Sequence, residues 1–145
     1  MQAGSSARTP QDFIVTITLI VADIARSIAF YRDVLGATLL EEGEPSILHL
    51  ANTRIIVNVG GGPTDDKPTV IARPPTDPNE LSCFMNLRVL DINRCYDLWR
   101  SRGATFVTEP KNHEYEFRCY MRDPDGYLIE VGQSKGITTL ADLQK

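Results

Sequence analysis

An eleven-residue stretch is written twice in this chain, so its fold must accommodate two copies of one unit. Thr16-Ile17-Thr18-Leu19-Ile20-Val21-Ala22-Asp23-Ile24-Ala25-Arg26 returns 68 residues later as Phe84-Met85-Asn86-Leu87-Arg88-Val89-Leu90-Asp91-Ile92-Asn93-Arg94. Leu19/Leu87, Val21/Val89, Asp23/Asp91, Ile24/Ile92 and Arg26/Arg94 are identities. After a one-residue slip, Gly36-Ala37-Thr38 matches Gly103-Ala104-Thr105. Further on, residues 55–60 align with 127–132 at an offset of 72. A period near 70 exceeds the roughly 20–50 residues of solenoid repeats. Two copies in 145 residues imply instead one domain built from two similar halves.

Each half reads in the same order. Residues 13–21, rich in Ile, Val and Thr, predict a strand. Alternation puts Thr16, Thr18 and Ile20 on one face and Ile17, Leu19 and Val21 on the other. The wholly aliphatic face suits packing on a helix; the mixed face suits a ligand cavity. Asp23 is placed to accept from the free N–H groups of a helix's first turn. Ile24, Ile28, Tyr31 and Leu35 then form one apolar stripe, and Gly36 supplies the stop. Strands over 37–42, 46–50 and 54–59 complete the half, with 51–53 as a hairpin loop. The second half predicts a strand over 82–89 and a helix capped by Asp91 with Ile92, Cys95, Tyr96 and Trp99 as its stripe. A strand over 105–108, a turn over 109–112 and a hairpin from 116–122 and 127–132 follow. Asp123-Pro124-Asp125-Gly126 makes the hairpin turn, since proline presets φ and glycine tolerates positive φ.

The joint is punctuated by Gly60-Gly61-Gly62-Pro63 and by Pro68, Pro74, Pro75 and Pro78. No Gly-Lys-Ser/Thr follows the glycines, so this is not a phosphate loop. Residues 69–72 are a candidate short strand, and the segment reads as a linker or as a lid over a cavity. The expected organisation is a polar tail over 1–11 and one domain over 12–134, followed by a C-terminal tail over 135–145 with a short helix capped by Thr139. Within the domain, module one is 12–60, the linker 61–81 and module two 82–134.

Composition excludes several classes. The net charge is −4, and Lys and Arg are scattered, so there is no footprint for nucleic acid. No apolar run approaches the roughly 20 residues of a membrane span. The polar tail lacks the apolar core of a signal peptide. Cys83, Cys95 and Cys119 are odd in number and have no metal-type spacing. A reduced, cytoplasmic protein is expected, with buried structural cysteines rather than a catalytic thiol.

A duplicated βαβββ unit carrying these phrases resembles the vicinal-oxygen-chelate superfamily, which includes glyoxalase I, bleomycin-resistance proteins and extradiol dioxygenases. The resemblance is carried by the run from Val21-Ala22-Asp23-Ile24-Ala25-Arg26 to Tyr31-Arg32-Asp33-Val34-Leu35-Gly36, and by Asp123-Pro124-Asp125-Gly126-Tyr127-Leu128-Ile129-Glu130-Val131. It implies an α+β fold of tandem βαβββ modules forming an open β-cup that binds ligands inside, and a homodimer.

Metal-binding members of the superfamily place His or Gln, Glu, His and Glu on the first and last strands of each unit. The matching positions here are Thr16, Asn58, Phe84 and Glu130. Only Glu130 keeps the expected type; Phe84 has no donor atom, and a Thr hydroxyl and Asn carbonyl are poor ligands for transition metals. No cofactor is therefore expected. Zinc, nickel, iron or manganese would need a non-standard site of Glu130 with His113 and His49. The cup geometry implied by the resemblance turns Thr16, Thr18, Asn58, Phe84, Asn86, Arg88 and Glu130 inward as ligand-binding residues. Phe84 offers a stacking surface and Arg88 a charge for a carboxylate or phosphate. Glu130 is expected either to pair with Arg88 or to act as a general base. The leading expectation is a binding protein for a small, partly aromatic molecule, without a tightly bound metal. The alternative is a lyase, isomerase, epimerase or dioxygenase-like enzyme that uses Glu130.

Overall fold

The computed structural model describes residues 12–145, so the tail expected over 1–11 lies outside the described residues. The repeat appears as two sheets of one design. In the first, β1 (Ile17–Val21) leads into helix α1 (Ile24–Ala29), and β2 (Thr38–Glu41), β3 (Ser46–Leu50) and β4 (Thr53–Val59) follow. The strand order is β1-β4-β3-β2, with β1 parallel to β4. In the second, β5 (Met85–Arg88) leads into α2 (Ile92–Ser101), and β6 (Thr105–Phe106), β7 (Lys111–Asn112), β8 (Glu116–Arg122) and β9 (Leu128–Ser134) follow. Its order is β5-β9-β8-β6, with β5 parallel to β9 and β7 also paired to β8. A final turn of helix, α3 (Leu140–Leu143), ends the chain. The architecture is the α+β arrangement expected from the sequence.

The caps form as read. Asp23 accepts from the Arg26 N–H and Asp91 from the Arg94 N–H, each at 3.1 Å, and Thr139 caps α3. Gly36 and Gly103 end the two long helices at φ 82° and 101°, where a side chain would be strained. The first helix departs from expectation in its second half. Phe30–Val34 is a π-helical turn, a widening that recurs at functional positions. It leaves Tyr31 wholly buried together with Ile28, Val34 and Leu35.

Several strands are shorter than their hydrophobic runs. β1 begins at Ile17, opposite Ile55 of β4, and Phe13, Ile14 and Val15 before it are exposed. β5 is likewise only Met85–Arg88. Residues 69–72 do not form a strand; only Ala72 pairs, in an isolated bridge to Gly61 that closes the intervening loop. Lys111 and Asn112, expected in a turn, pair with Arg118 and Phe117 of β8.

One core joins the halves. Leu19, Val21, Ile55 and Val57 from the first sheet and Cys119, Met121, Ile129 and Val131 from the second belong to the same buried cluster. Leu19 and Val21 are on the side that alternation gave to the helix. The turn after β8 locks the joint. The Asp125 carboxylate, 1% exposed, accepts from the Ala22 N–H, the Arg26 guanidinium and the Ser27 hydroxyl. The buried Asp123 carboxylate accepts from the Tyr31 hydroxyl at 2.8 Å and from the Asp125 and Tyr127 N–H groups. Tyr127 in turn donates its hydroxyl to the Ile20 carbonyl, and Arg102 donates to the Val34 carbonyl.

Candidate functional site

With Ile129 and Val131 turned into the core, alternation leaves Leu128, Glu130, Gly132 and Ser134 of β9 on the opposite face. The same parity puts Glu116, Arg118, Tyr120 and Arg122 of β8 beside them, and Phe84, Asn86 and Arg88 at the β5 edge. Glu130 sits in the middle, opposite Asn86 on one side and Tyr120 on the other.

Glu130 is 7% exposed and fully engaged by its own chain. One carboxylate oxygen accepts from the Tyr120 hydroxyl at 2.7 Å. The other lies 3.4 Å from Arg88 Nη1, which also donates to Glu116 at 3.2 Å. Arg88 Nη2 donates to the Ser134 hydroxyl at 2.8 Å. Burial first, and then the bond to Glu130, push the Tyr120 phenol above its ordinary value, because a phenolate beside a carboxylate is disfavoured.

Gly132 makes room for this arrangement. A Cβ at Gly132 would fall 1.8 Å from Arg88 Nη1 and 2.6 Å from Cζ. Gly132→Ala should therefore push the guanidinium out of its seat. The flexible end of Arg88 can yield, so the expected cost is about 1 kcal/mol in denaturant unfolding. A crystal structure of the variant should show Arg88 displaced and the Tyr120–Glu130 bond kept.

Next to the network lies an open hollow of about 330 Å³. Leu128, Tyr120 and Arg122 of the second sheet line it, together with Phe84 and Val107. Pro78, Asn79 and Leu81 from the joint form its rim. Phe84 meets Tyr120 edge to face, with ring centroids 5.8 Å apart, yet stays 47% exposed. An aromatic face held against a second ring and open to solvent is a surface for a planar ligand.

The predicted residues divide into two groups. Phe84, Asn86, Arg88 and Glu130 share one face of the second sheet. Phe84 alone of these lines the hollow; Asn86, Arg88 and Glu130 do not border it, nor do Thr18 and Asn58 on the first sheet or Thr16 just before β1. Thr18 is exposed, and the Asn58 side-chain oxygen accepts from the N–H of Val59. Arg88, expected to meet a ligand's charge, is instead held by Glu116, Glu130 and Ser134. His49 is exposed on β3 between Thr38 and Arg54. His113 donates its N–H to the Glu116 carbonyl, four residues, or roughly 13 Å of strand, from the Tyr120 that faces Glu130. Among the described residues, no three His, Cys, Asp or Glu side chains come together as a metal cluster. Cys119 is buried and its thiol is pushed up to about 11 by that burial, but Cys83 is exposed, against expectation.

Tyr120, Glu116, Ser134 and Arg122 are absent from the sequence-derived set. Period-2 parity along β8 and β9 groups them once the register between those strands is known. That register is fixed by the Asp123–Gly126 turn.

Comparison with known proteins bears on the family and the fold. The family model for the Glyoxalase/Bleomycin resistance protein/Dioxygenase superfamily matches residues 13–131, and the chain belongs to that superfamily. Among individual proteins, it is 28% identical over 129 residues to a probable lactoylglutathione lyase of Synechocystis sp., covering 84% of this chain and 95% of that relative. A glyoxalase/bleomycin resistance protein/dioxygenase from Nocardioides superposes with a TM-score of 0.72 at 20% identity, covering 92% of this chain and 91% of that one. The antibiotic binding protein TnmS3 from Streptomyces sp. CB03234 superposes with a TM-score of 0.63 at 18% identity, covering 88% of this chain and all of that one. At such identities the structural likeness speaks to fold alone.

Proposed function

We propose that this protein binds a small, partly aromatic organic molecule in the hollow over its second sheet, without a tightly bound metal. The observation that carries the reading is the state of Glu130. It is the one acidic residue at the positions where metal-binding relatives carry ligands, and both its oxygens are held, one by Tyr120 and one by the cation Arg88. A guanidinium at that distance already supplies the positive charge a metal would bring and opposes a second cation. Phe84, Thr16 and Asn58 complete a donor set that does not fit zinc, nickel, iron or manganese. A carboxylate so engaged is also poorly placed to take a proton from a substrate. Beside it, Phe84 remains open.

The first sheet supports a homodimer in this reading. Its face bearing Thr18, Ile20, Ile56 and Asn58 is not covered by the hollow's walls, and a second copy would supply the opposing side of a cup.

The test is equilibrium binding of a panel of planar aromatic compounds, with EDTA present. Saturable binding that is unchanged by EDTA and by Glu130→Gln, and at least tenfold weaker in Phe84→Ala, is the expected result. Turnover of a bound compound that Glu130→Gln abolishes would replace this reading with a proton-transferring lyase, isomerase or epimerase.

A further inference from the structure

We infer that the hollow selects an anionic ligand: an aromatic carboxylate whose ring lies against Phe84 and whose charge meets Arg122. This rests on the proposed binding role and adds the ligand's chemical class.

The inference starts from charge balance. Arg88 is neutralised by Glu116 and Glu130, and Arg26 by Asp125. Arg122, half-buried in the lining of the hollow, has no carboxylate partner among the described residues. Its Nη1 donates to two backbone carbonyls, those of Pro78 in the joint and Gly126 in the hairpin turn. Those contacts fix the plane of the group, while Nε and Nη2 have no protein acceptor among the described residues. A guanidinium has five N–H donors in a rigid fork, so an oriented edge remains for a planar oxyanion. None of the residues lining the hollow is acidic. Asn79, at the rim, adds an amide whose side chain makes no hydrogen bond among the described residues. Phe84, Leu128 and Val107 make the rest of the wall apolar. A neutral aromatic ligand would satisfy that wall but leave the Arg122 edge unpaired as water is displaced, which is costly. A carboxylate satisfies both.

The experiment is calorimetric titration of the full chain with 2-naphthoate and with its neutral isostere 2-naphthamide. Wild type, Arg122→Met, Arg122→Lys and, as a control on the same face of β8, Arg118→Gln are compared. The expected result is at least a tenfold preference of wild type for naphthoate. Arg122→Met should level the pair while still binding naphthamide, which shows that the hollow is intact. Arg122→Lys should keep part of the preference and Arg118→Gln all of it. Equal binding of both probes by wild type would overturn the anion assignment and leave the aromatic-binding reading standing. So would a preference that survives Arg122→Met or disappears in Arg118→Gln. Failure of wild type to bind either probe would overturn both.

Discussion

Asp123→Ala should lower the stability of the domain by about 3 kcal/mol, a large share of the roughly 5–15 kcal/mol typical of a domain. The carboxylate serves three donors at once. One oxygen accepts from the Tyr31 hydroxyl at 2.8 Å, and the other from the Asp125 and Tyr127 N–H groups at 2.9 Å each. Tyr31 is completely buried in the first half, so alanine would strand its hydroxyl inside the joint while loosening the turn that holds Asp125. Asp123→Asn should cost far less, because the amide oxygen still serves the two turn N–H groups.

The Asp/Asn pair also has a pH signature. Burial raises the Asp123 carboxyl above its ordinary value, against the pull of its three donors. The folded state therefore holds that proton more tightly than the unfolded chain does. The stability linked to it is fully present below the unfolded value of about 3.9 and is lost as pH rises through the folded value. Asparagine carries no such dependence. Urea unfolding of both proteins from the acid range to neutrality should show the balance moving toward Asp123→Asn as pH rises. Movement toward the wild type would contradict the assignment.

Arg88→Met should cost about 2 kcal/mol at neutral pH. Removing one partner of a buried ion pair typically costs about 3–5 kcal/mol, because the other charge is left behind. Here the Arg88 side chain is 28% exposed and Tyr120 still serves Glu130, which reduces the figure. Methionine preserves much of the apolar stem, so lost packing contributes little. In the double variant Arg88→Met/Glu130→Gln the stranded charge is gone. Denaturant unfolding should find it more stable than the sum of the single losses predicts, by at least about 1 kcal/mol. Strict additivity would mean that the network does not act as a unit.

The duplication made the fold legible because it is a backbone-level signal. Cap residues, helix stripes and strand alternation recur in both copies, and each copy checks the other's register. The faces of β1 were read from alternation, and those of β4, β5 and β9 from alternation together with the family resemblance. The joint was not legible. Asp123-Pro124-Asp125-Gly126 reads as a turn, and nothing local says that its two carboxylates reach the first helix. The sequence does hold a trace of it: the corresponding loop of the first half, Ala51-Asn52-Thr53, carries no acid. A difference between otherwise matching halves marks a position with a further task.

The site was legible in part for a similar reason. Alternation together with the family resemblance pointed to Phe84, Asn86, Arg88 and Glu130, which lie on or beside the duplicated first and last strands. Tyr120 and Arg122 lie on β8, whose counterpart in the first half, β3, differs in sequence and could not act as a check. The partnership of Arg88 with Glu116 depends on Gly132, and the clearance above a glycine is a three-dimensional property. The two halves of the expected ligand set lie on separate sheets, Thr18 and Asn58 on the first and Asn86, Arg88 and Glu130 on the second.

The most direct test of the central claim is metal content. Untagged protein would be purified without chelator and analysed before and after incubation with zinc, nickel, iron and manganese. The account predicts well under one equivalent in every case, because Arg88 holds the charge position between Glu130 and Glu116 and, among the described residues, no three His, Cys, Asp or Glu side chains come together there. Near-stoichiometric retained metal would contradict the account and would require His49 or His113 to be recruited to Glu130 in a site of a different kind.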